Sequence, residues 1–325
     1  MSAAPILGMN SIRSKRIEAA LYRGSALTLE NPRYRATVRA FTRILLRDDG
    51  AAVDLTVKAL GLEECRVRAS VISQEGGVAA GLSEFAFFWG EHGIDVAPQK
   101  HEGDAIAPGD VVAIAEGSET KLLALERVGL NLLQRMSGIA TAARCLQERA
   151  SKGGPARVVG TRKTPWGLLD KRALHLGGAA THRLGLGDAI LIKNNHLALV
   201  AATEERAMPL AIERAWDARR DAAFIEVEVR GEDAARVASK SFRRLQDGSE
   251  EYPCLLLLDN MSPDRISGII RMLREEKLWD HVLIEASGGI TEANVEAYAA
   301  TGADAISLGA LTHSARALDI CLRIS

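Results

Sequence analysis

The sequence predicts an α/β protein in two parts: an N-terminal α+β unit with an antiparallel sheet, and a C-terminal series of β/α units. Three observations support this prediction. Short strand patterns separated by glycine turns occupy residues 65–117, and a long amphipathic stretch follows at residues 121–149. Apolar runs then alternate with helical segments as far as residue 308. That alternation is typical of a parallel sheet, either doubly wound or closed as a β/α barrel.

The composition is that of an ordinary globular protein. The chain has 325 residues, of which 47% are hydrophobic and 26% charged, and its formal net charge is −1. This length allows one large domain or two ordinary ones. The balanced charge gives no reason to expect nucleic acid or a membrane surface as a partner. No apolar run approaches the roughly 20 residues that span a bilayer. Residues 1–16 lack the apolar segment of a signal peptide, so we expect none.

The cysteine pattern argues against a disulfide framework and against a zinc site. Cysteines occur at positions 65, 145, 254 and 321, far apart and without a CxxC pair. This spacing suits a reducing compartment, and we therefore expect a cytoplasmic protein.

The elements of the first half follow from local patterns. Residues 30–60 have apolar side chains at mixed helical spacing and predict helix, whereas residues 65–72 alternate and predict a half-buried strand. Residues 78–82 resume strand after a glycine turn, and residues 83–92 predict a short apolar helix. Glycine turns within residues 103–117 separate further short strands.

The second half begins with one long helix at residues 121–149, whose apolar side chains recur at i, i+3, i+4 and i+7. The following runs are largely apolar without alternation, as expected for parallel strands buried on both faces. These runs are residues 157–159, 189–192, 224–229, 254–258, 282–284 and 305–308. The helical segments between them are residues 203–220, 233–245, 263–277 and 291–300. Ser262-Pro263 marks a helix start and Gly302 a stop.

Positive charge is concentrated locally in this neutral chain, at residues 160–196. The cationic side chains singled out there are Arg162, Lys163, Arg183 and Lys193, with His182 among them. Guanidinium groups bind carboxylate and phosphate in a two-pronged manner, and lysine acts as a point charge. If the fold brings these groups together, they make a pocket for a small polyanion. Any one of them alone would more often be a solvated surface residue.

Polar residues stand where the predicted strands end. They are Thr161, Arg162 and Lys163, then Lys193, then Glu226 and Glu228, then Asp259 and Asn260, then Glu285 to Gly289, and finally Gly309. In a β/α barrel the carboxyl ends of the strands form the active site. We therefore expect one mouth with cations on one side and carboxylates on the other.

Each group at this mouth has a chemical use. Ser287-Gly288-Gly289 and the turn from Ser307 to Gly309 are predicted to lead into helix N-termini, where backbone N–H groups can hold a phosphate. Either turn alone is weak evidence, because glycine after a strand is commonly only a tight turn. Glu228 and Asp259 offer oxygen ligands for Mg²⁺ or for ribose hydroxyls. Alternatively, Glu226 and Glu228 alternate outward on an edge strand and are solvated carboxylates. His182 is a candidate anion ligand, although lone histidines are more often structural.

Several spaced motifs together resemble those of one enzyme family. They are Glu126-Arg127, the segment 131–141, Thr161 to Thr164, His182-Arg183, Ile192-Lys193, Glu226 to Val229, Leu258 to Asn260, Glu285 to Gly289 and Gly309 to Ser314. Their order is similar to that of quinolinate phosphoribosyltransferase, also called nicotinate-nucleotide pyrophosphorylase (carboxylating). The resemblance extends from about residue 54 to the C-terminus. It is specific because nine motifs agree rather than one.

The resemblance implies a reaction in de novo NAD biosynthesis. The ring nitrogen of quinolinate attacks C1 of phosphoribosyl pyrophosphate, pyrophosphate leaves, and loss of the 2-carboxylate as CO₂ gives nicotinate mononucleotide. Mg²⁺ is the implied cofactor. No nucleophilic side chain is required, because catalysis would come from positioning and from charge stabilisation.

The resemblance also implies site residues. Arg127, Arg162, His182, Arg183 and Lys193 would hold the two carboxylates, and Lys163 would reach the ribosyl pyrophosphate. Glu228 and Asp259 would bind the ribose hydroxyls and Mg²⁺, which makes them, with Lys163, the candidate catalytic residues. Ser287, Gly288 and Gly309 would hold the 5′-phosphate, with His313 nearby. Thr161 and Ser307 complete the candidate substrate-binding set.

The implied architecture is an N-terminal α/β sandwich and an incomplete parallel barrel of the type II phosphoribosyltransferase kind. We expect the sandwich at residues 1–130, the barrel at residues 131–311, and a tail at residues 312–325 that returns to the sandwich. Family members pair head to tail, so Arg127 would act across a homodimer interface. The sequence does not decide between a dimer and a hexamer.

Three departures from the family pattern stand near the cations. Pro165 to Leu169 replaces the usual loop and loses an arginine, for which Lys171 or Arg172 could substitute. Ala179 replaces a glycine, and Asn194 replaces a common acid. These changes leave open a paralogous phosphoribosyltransferase acting on another anionic heterocycle. A non-catalytic scaffold would predict loss of Glu228, Asp259 or Lys163, and all are present. A Schiff-base aldolase using Lys193 fits less well, because that lysine would need desolvation.

Overall fold

The computed structural model describes residues 12–51, 53–62, 65–246 and 252–324, so most of the segment tested for a signal peptide lies outside it. Two compact units alternate along the chain. We call Met1–Arg23, Cys145–Thr164 and Ala179–Ala310 the barrel unit. Gly24–Arg144, Pro165–Gly178 and Leu311–Ser325 form the antiparallel unit. The domain limits given above stay a prediction.

Helices occur in both units and are numbered in chain order. They are α1 (Ile12–Leu21), α2 (Pro32–Asp49), α3 (Leu55–Leu60), α4 (Leu82–Gly90), α5 (Glu119–Gly153), α6 (Leu168–Leu176), α7 (Asn194–Val200), α8 (Glu204–Asp217), α9 (Glu232–Gln246), α10 (Pro263–Glu275), α11 (Val295–Ala299) and α12 (Ala310–His313). Short 3-10 helices occur at Gly24–Ala26, Arg219–Asp221 and Trp279–His281. Among the described residues, no helix combines the length and the apolarity that crossing a membrane requires.

The strands are numbered in the same way. They are β1 (Arg66–Ser73), β2 (Gly77–Val78), β3 (Asp95–Pro98), β4 (Ala105–Ile106), β5 (Val111–Ser118), β6 (Arg157–Gly160), β7 (Ile190–Ile192), β8 (Ile225–Val229), β9 (Cys254–Asp259), β10 (Leu283–Ser287), β11 (Ala305–Leu308) and β12 (Ile320–Ile324).

The barrel unit contains a sheet of six parallel strands in the order β6-β11-β10-β9-β8-β7. This order is a cycle of consecutive strands that is open between β6 and β7, which makes the barrel incomplete. The predicted α/β fold class is therefore confirmed. Register places Ser287 of β10 opposite both Asp259 of β9 and Ser307 of β11, so the carboxyl ends of these strands lie level.

The antiparallel unit contains a sheet in the order β12-β1-β5-β3. Its C-terminal strand pairs with β1 from Ala69 opposite Ile324 to Ser73 opposite Ile320. A tight approach lies just before this strand: a Cβ at Gly138 would collide with the carbonyl oxygen of Arg316. The core of this unit includes the fully buried aromatic side chains of α4, Phe85, Phe88 and Trp89.

The helix predicted for residues 30–60 is in fact two helices. Asn31 caps α2, because its side chain accepts a hydrogen bond from the backbone of Arg33. Gly50 ends α2 in the left-handed region, with φ 69°, and its N–H bonds to the last turn. Asp54 then caps α3. A glycine C-cap therefore divides a continuous apolar pattern.

A buried acid lies between α2, α4 and α6. The hydroxyl of Tyr34 donates to Glu84 Oε1 at 2.8 Å, and Arg172 Nε lies 3.8 Å from the same oxygen. Burial, together with the charge of Glu102, raises the pKa of Glu84 to about 7. Arg172, a proposed substitute for the missing loop arginine, thus faces an internal acid.

Candidate active site

The carboxyl ends of the parallel strands surround a cavity of about 310 Å³ within the barrel unit. Side chains from all six strands or the loops after them line it. The lining residues are Gly160, Thr161, Arg162, Lys163, His182, Arg183, Leu191, Lys193, Glu228, Leu257, Asp259, Glu285, Ser287 and Ser307. Ten of them belong to the set of fourteen substrate-binding residues predicted above. They lie at this cavity because the carboxyl ends of parallel strands, and the loops that lead from each strand to the next helix, meet at one end of a barrel.

One wall of the cavity is cationic. Arg162 and Lys163 follow β6, and Lys193 follows β7, with all three exposed. Arg183 is buried, and its Nη1 donates to the carbonyl oxygen of Ala189 at 3.2 Å. Burial and the positive charge of Arg162 both lower the pKa of Arg183. Two guanidinium groups that repel each other at a cavity wall favour a bound anion.

Two carboxylates face the cavity from neighbouring strands. Glu228 of β8 and Asp259 of β9 have side chains that are 13% and 21% exposed. Asn194, the first residue of α7, donates through Nδ2 to Glu228 Oε1 at 2.7 Å. Asn260 donates to Asp259 Oδ2 at 3.0 Å. Each acid therefore has one oxygen held by an amide. The alternative of two solvated glutamates on β8 does not hold, because Glu226 is fully buried and the side chain of Glu228 is 13% exposed.

The cavity floor contains an ionisable cluster. His182 Nε2 lies 2.9 Å from Glu226 Oε2 and 3.3 Å from Glu285 Oε2, and all three side chains are buried. Burial lowers the pKa of His182, but the charges of Glu285 and Glu226 outweigh this effect and raise it to about 9. Burial and the charge of Glu285 raise the pKa of Glu226. These three groups form an ion-paired cluster next to the cationic side chains.

The ring of His182 is fixed on both sides. Its Nδ1 lies 2.8 Å from the backbone nitrogen of Arg183, and its Nε2 faces the two glutamates. The residue adopts φ 55°, a left-handed conformation that is uncommon outside glycine and in which histidine is one of the enriched residue types. In this conformation neither ring nitrogen is available to donate directly to an anion in the cavity. His182 lines the cavity through the ring itself.

The two predicted phosphate turns differ from each other. Ser287 and Ser307 line the cavity, and Ser307 Oγ is buried without a hydrogen-bond partner in the part of the chain that the structure describes. Gly288 adopts φ 90°, and a Cβ there would collide with the side chain of Asn260. The helix predicted to begin at residue 291 begins at Val295 instead, because Asn294 accepts from the backbone of Thr291 and makes a turn.

Four predicted residues are not among those that line the cavity. They are Arg127, Gly288, Gly309 and His313. Arg127 is exposed on α5, and His313 is exposed at the end of α12 beside Ser314. Both belong to the antiparallel unit. Lys171 and Arg172 lie on α6 and do not line the cavity either, so neither restores the missing loop arginine there.

Sequence reasoning assigned no role to several residues at the cavity. Glu285 lines it, and Glu226 supports His182 from below. A carboxylate inside an apolar strand was the available signal, since buried acids need a partner. Asn194 and Arg230 also contact Glu228. The contact from Asn194 joins residues 34 positions apart, which no local pattern indicates, whereas Arg230 follows Glu228 by only two residues.

Comparisons with known proteins agree on one family. A model described as quinolinate phosphoribosyl transferase, C-terminal domain, matches residues 139–323, and the corresponding N-terminal domain model matches residues 54–137. Every residue that lines the cavity lies within the first range.

Individual relatives cover most of this chain. The probable nicotinate-nucleotide pyrophosphorylase (carboxylating) of Methanothermobacter thermautotrophicus is 38% identical over 285 residues, which are 87% of this chain and 97% of the relative. The human nicotinate-nucleotide pyrophosphorylase (carboxylating) is 34% identical over 291 residues, 89% and 92% of the two chains. The crystal structure of NadC from Streptococcus pyogenes matches with a TM-score of 0.76 at 30% identity and covers 89% of this chain and 96% of that chain.

Proposed function

The chain belongs to the quinolinate phosphoribosyl transferase family, and from this premise we propose that it is a nicotinate-nucleotide pyrophosphorylase (carboxylating). It converts quinolinate and phosphoribosyl pyrophosphate to nicotinate mononucleotide, pyrophosphate and CO₂ in de novo NAD biosynthesis. The observation that carries this proposal is the cavity itself, which is lined both by a group of cations and by two carboxylates. Such a cavity suits a dianionic ring on one side and a ribose on the other.

The cationic wall binds the two carboxylates of quinolinate. Arg162 and Arg183 offer guanidinium forks, and Lys193 adds a point charge. Burial and the charge of Arg162 lower the pKa of Arg183, and a bound dicarboxylate would offset the repulsion between the two guanidinium groups. The cluster of His182 with its glutamates keeps the cavity floor rigid. The bound ring is thereby oriented with its nitrogen toward C1 of the ribosyl substrate, which removes orientational entropy from the barrier.

The acidic wall binds the ribose. Glu228 and Asp259 accept hydrogen bonds from the ribose hydroxyls, and their negative charge stabilises positive charge that develops at C1 as pyrophosphate leaves. Lys163 faces the pyrophosphate. Ser287 and Ser307 hold the 5′-phosphate. The hydroxyl of Ser307 is suited to this role, because it is buried without a hydrogen-bond partner among the described residues and a phosphate bound in the cavity would supply one.

The two acids also fit a Mg²⁺ ion. Glu228 Oε1 and Asp259 Oδ2 are engaged by amides, which leaves one oxygen of each for a hard cation. Mg²⁺ commonly takes one or two carboxylates and completes its shell with water and substrate phosphates. When bound, it would neutralise the negative charge of the pyrophosphate.

Loss of CO₂ follows ribosylation of the ring nitrogen. The bond between C2 and its carboxylate breaks, and the electron pair stays at C2 beside the positively charged nitrogen. Arg162, Arg183 and Lys193 add a positive field around that carbon. A proton from solvent then completes nicotinate mononucleotide.

The assembly is proposed to be a homodimer or a higher homo-oligomer. Arg127 is exposed and does not line the cavity of its own chain, which supports a role at the cavity of a neighbouring subunit. His313 is proposed to act near the 5′-phosphate. We also propose a cytoplasmic location, which the free cysteines Cys65, Cys145, Cys254 and Cys321 support.

The testing experiment incubates the purified protein with quinolinate, phosphoribosyl pyrophosphate and Mg²⁺ and follows nicotinate mononucleotide by mass spectrometry. Nicotinate serves as a parallel substrate. We expect product from quinolinate only, because nicotinate lacks the second carboxylate that the cationic wall binds. Product from neither substrate would refute the proposal.

A further inference from the structure

Arg230 reaches over both acids of the cavity from the residue after β8. Its Nη2 lies 3.4 Å from Glu228 Oε1, and its Nε lies 4.0 Å from Asp259 Oδ2. The side chain is 65% exposed and is not among the residues that line the cavity, so the guanidinium contacts the two acids from outside the cavity wall. Its backbone is held, because the carbonyl oxygen of Arg230 accepts from Arg265 Nη2 at 3.3 Å.

A phosphorylated substrate brings further negative charge to the two acids, which Lys163 and Mg²⁺ are proposed to offset in part. Asn194 and Asn260 orient Glu228 and Asp259, but these amides are neutral and leave both negative charges in place. A diphosphate next to two carboxylates is repelled by like charge. Arg230 is permanently charged and lies within contact range of both acids.

The stereochemistry of the proposed substrate places its diphosphate on this side, an argument that rests on the proposed function. In phosphoribosyl pyrophosphate the C1 diphosphate is α, on the same face of the ribose ring as the 2-hydroxyl. Acids that hold the ribose hydroxyls therefore have the diphosphate as their neighbour. A guanidinium carries five N–H donors, and the long contacts of Arg230 occupy few of them.

We propose that Arg230 is a further substrate-binding residue, which ligates the diphosphate of phosphoribosyl pyrophosphate beside Glu228 and Asp259. The competing explanation is a surface ion pair, which would contribute little to anything measurable. The two explanations differ in what they predict for ligands with and without a diphosphate.

The experiment compares Arg230→Gln and Arg230→Lys with a matched control, Arg244→Gln. Arg244 is 63% exposed in the same unit, and among the residues that the structure describes it makes one ion pair, to Glu213 at 3.8 Å. Isothermal titration measures phosphoribosyl pyrophosphate binding to the full-length protein, first without Mg²⁺ and then with it. Ribose 5-phosphate, which lacks the diphosphate, competes in parallel, and the KM for quinolinate is measured as well.

We expect Arg230→Gln to weaken phosphoribosyl pyrophosphate binding about tenfold without Mg²⁺, the effect of losing a charged hydrogen bond. Arg230→Lys should lie between the wild type and Arg230→Gln, because it keeps the charge and loses the fork. Ribose 5-phosphate affinity, the KM for quinolinate and all values for Arg244→Gln should match the wild type.

Two results would overturn the assignment while the proposed function stands. One is unchanged phosphoribosyl pyrophosphate binding by Arg230→Gln. The other is an equal loss of ribose 5-phosphate binding, which would mean that Arg230 shapes the acid pair instead of ligating the diphosphate. A wild-type protein that binds no phosphoribosyl pyrophosphate and forms no product would instead refute the proposed function.

Discussion

Replacing Arg183 by glutamine should separate substrate binding from stability. Arg183 is 7% exposed, and the hydrogen bond from its side chain to the carbonyl oxygen of Ala189 is 3.2 Å long. Burial and the charge of Arg162 lower the pKa of Arg183, so its surroundings disfavour the charged form. The fold therefore holds this charge for the anion and gains little from it when the cavity contains no ligand.

The two expected effects have different sizes. A charged hydrogen bond to a carboxylate contributes about 1.5–3 kcal/mol, so losing the fork should lower kcat/KM for quinolinate on the order of a hundredfold. The lost bond to Ala189 costs about 1 kcal/mol, and relief of the buried charge offsets it. The melting temperature should then change by less than about 3 °C.

The assay is steady-state kinetics with both substrates varied, together with thermal unfolding with and without quinolinate. Quinolinate should raise the melting temperature of the wild type and leave that of Arg183→Gln unchanged, because binding stabilises the native state by mass action. Arg244→Gln controls for loss of a charge elsewhere in the unit. The reasoning is refuted if quinolinate binding survives in Arg183→Gln. It is also refuted if the variant unfolds far below the wild type and loses binding of both substrates together.

Three further predictions concern the antiparallel unit and the acidic wall. The pKa of Glu84 is raised from 4.5 to about 7, so its contribution to stability is greatest at low pH and is lost as pH rises through 7. Glu84→Gln should therefore raise the free energy of urea unfolding at pH 8 by about 1–3 kcal/mol, where the acid is charged, and change it little at pH 5, where the acid is neutral. Equal effects at the two pH values would contradict this prediction. Gly288→Ala should raise the KM for phosphoribosyl pyrophosphate and leave that for quinolinate unchanged, because its Cβ collides with Asn260; unchanged kinetics would show that the turn adapts. Asn194→Asp places a second negative charge against Glu228 and should weaken phosphoribosyl pyrophosphate binding severalfold without Mg²⁺, as measured by titration; unchanged binding would contradict the charge argument.

The barrel strands could be predicted from the sequence because each is a short apolar run. Residues 254–258 read as a strand buried on both faces, and β9 occupies Cys254–Asp259. Helices were harder, because their ends depend on single residues. Gly50 divides one apolar pattern into two helices, and Asn294 moves the start of α11. The short helix α6, at Leu168–Leu176, was not predicted, because the loop before it has no pattern of apolar residues at helical spacing.

The residues of the candidate site that lie at the ends of strands could be predicted from the sequence. Arg162, Lys193, Glu228 and Asp259 each end or follow a strand, and parallel strands bring those ends together. The contacts between side chains could not be predicted. The bond from Asn194 to Glu228 joins residues 34 positions apart, and only the three-dimensional packing of β7 against β8 makes it.

The most direct test of the central claim uses quinolinate labelled at the 2-carboxylate. Labelled CO₂ and nicotinate mononucleotide are counted together, with and without phosphoribosyl pyrophosphate. We expect one CO₂ per nucleotide and no release of label without the ribosyl substrate, because ribosylation of the ring nitrogen precedes loss of the carboxylate. Release of label without phosphoribosyl pyrophosphate, or a nucleotide product that retains the label, would contradict it.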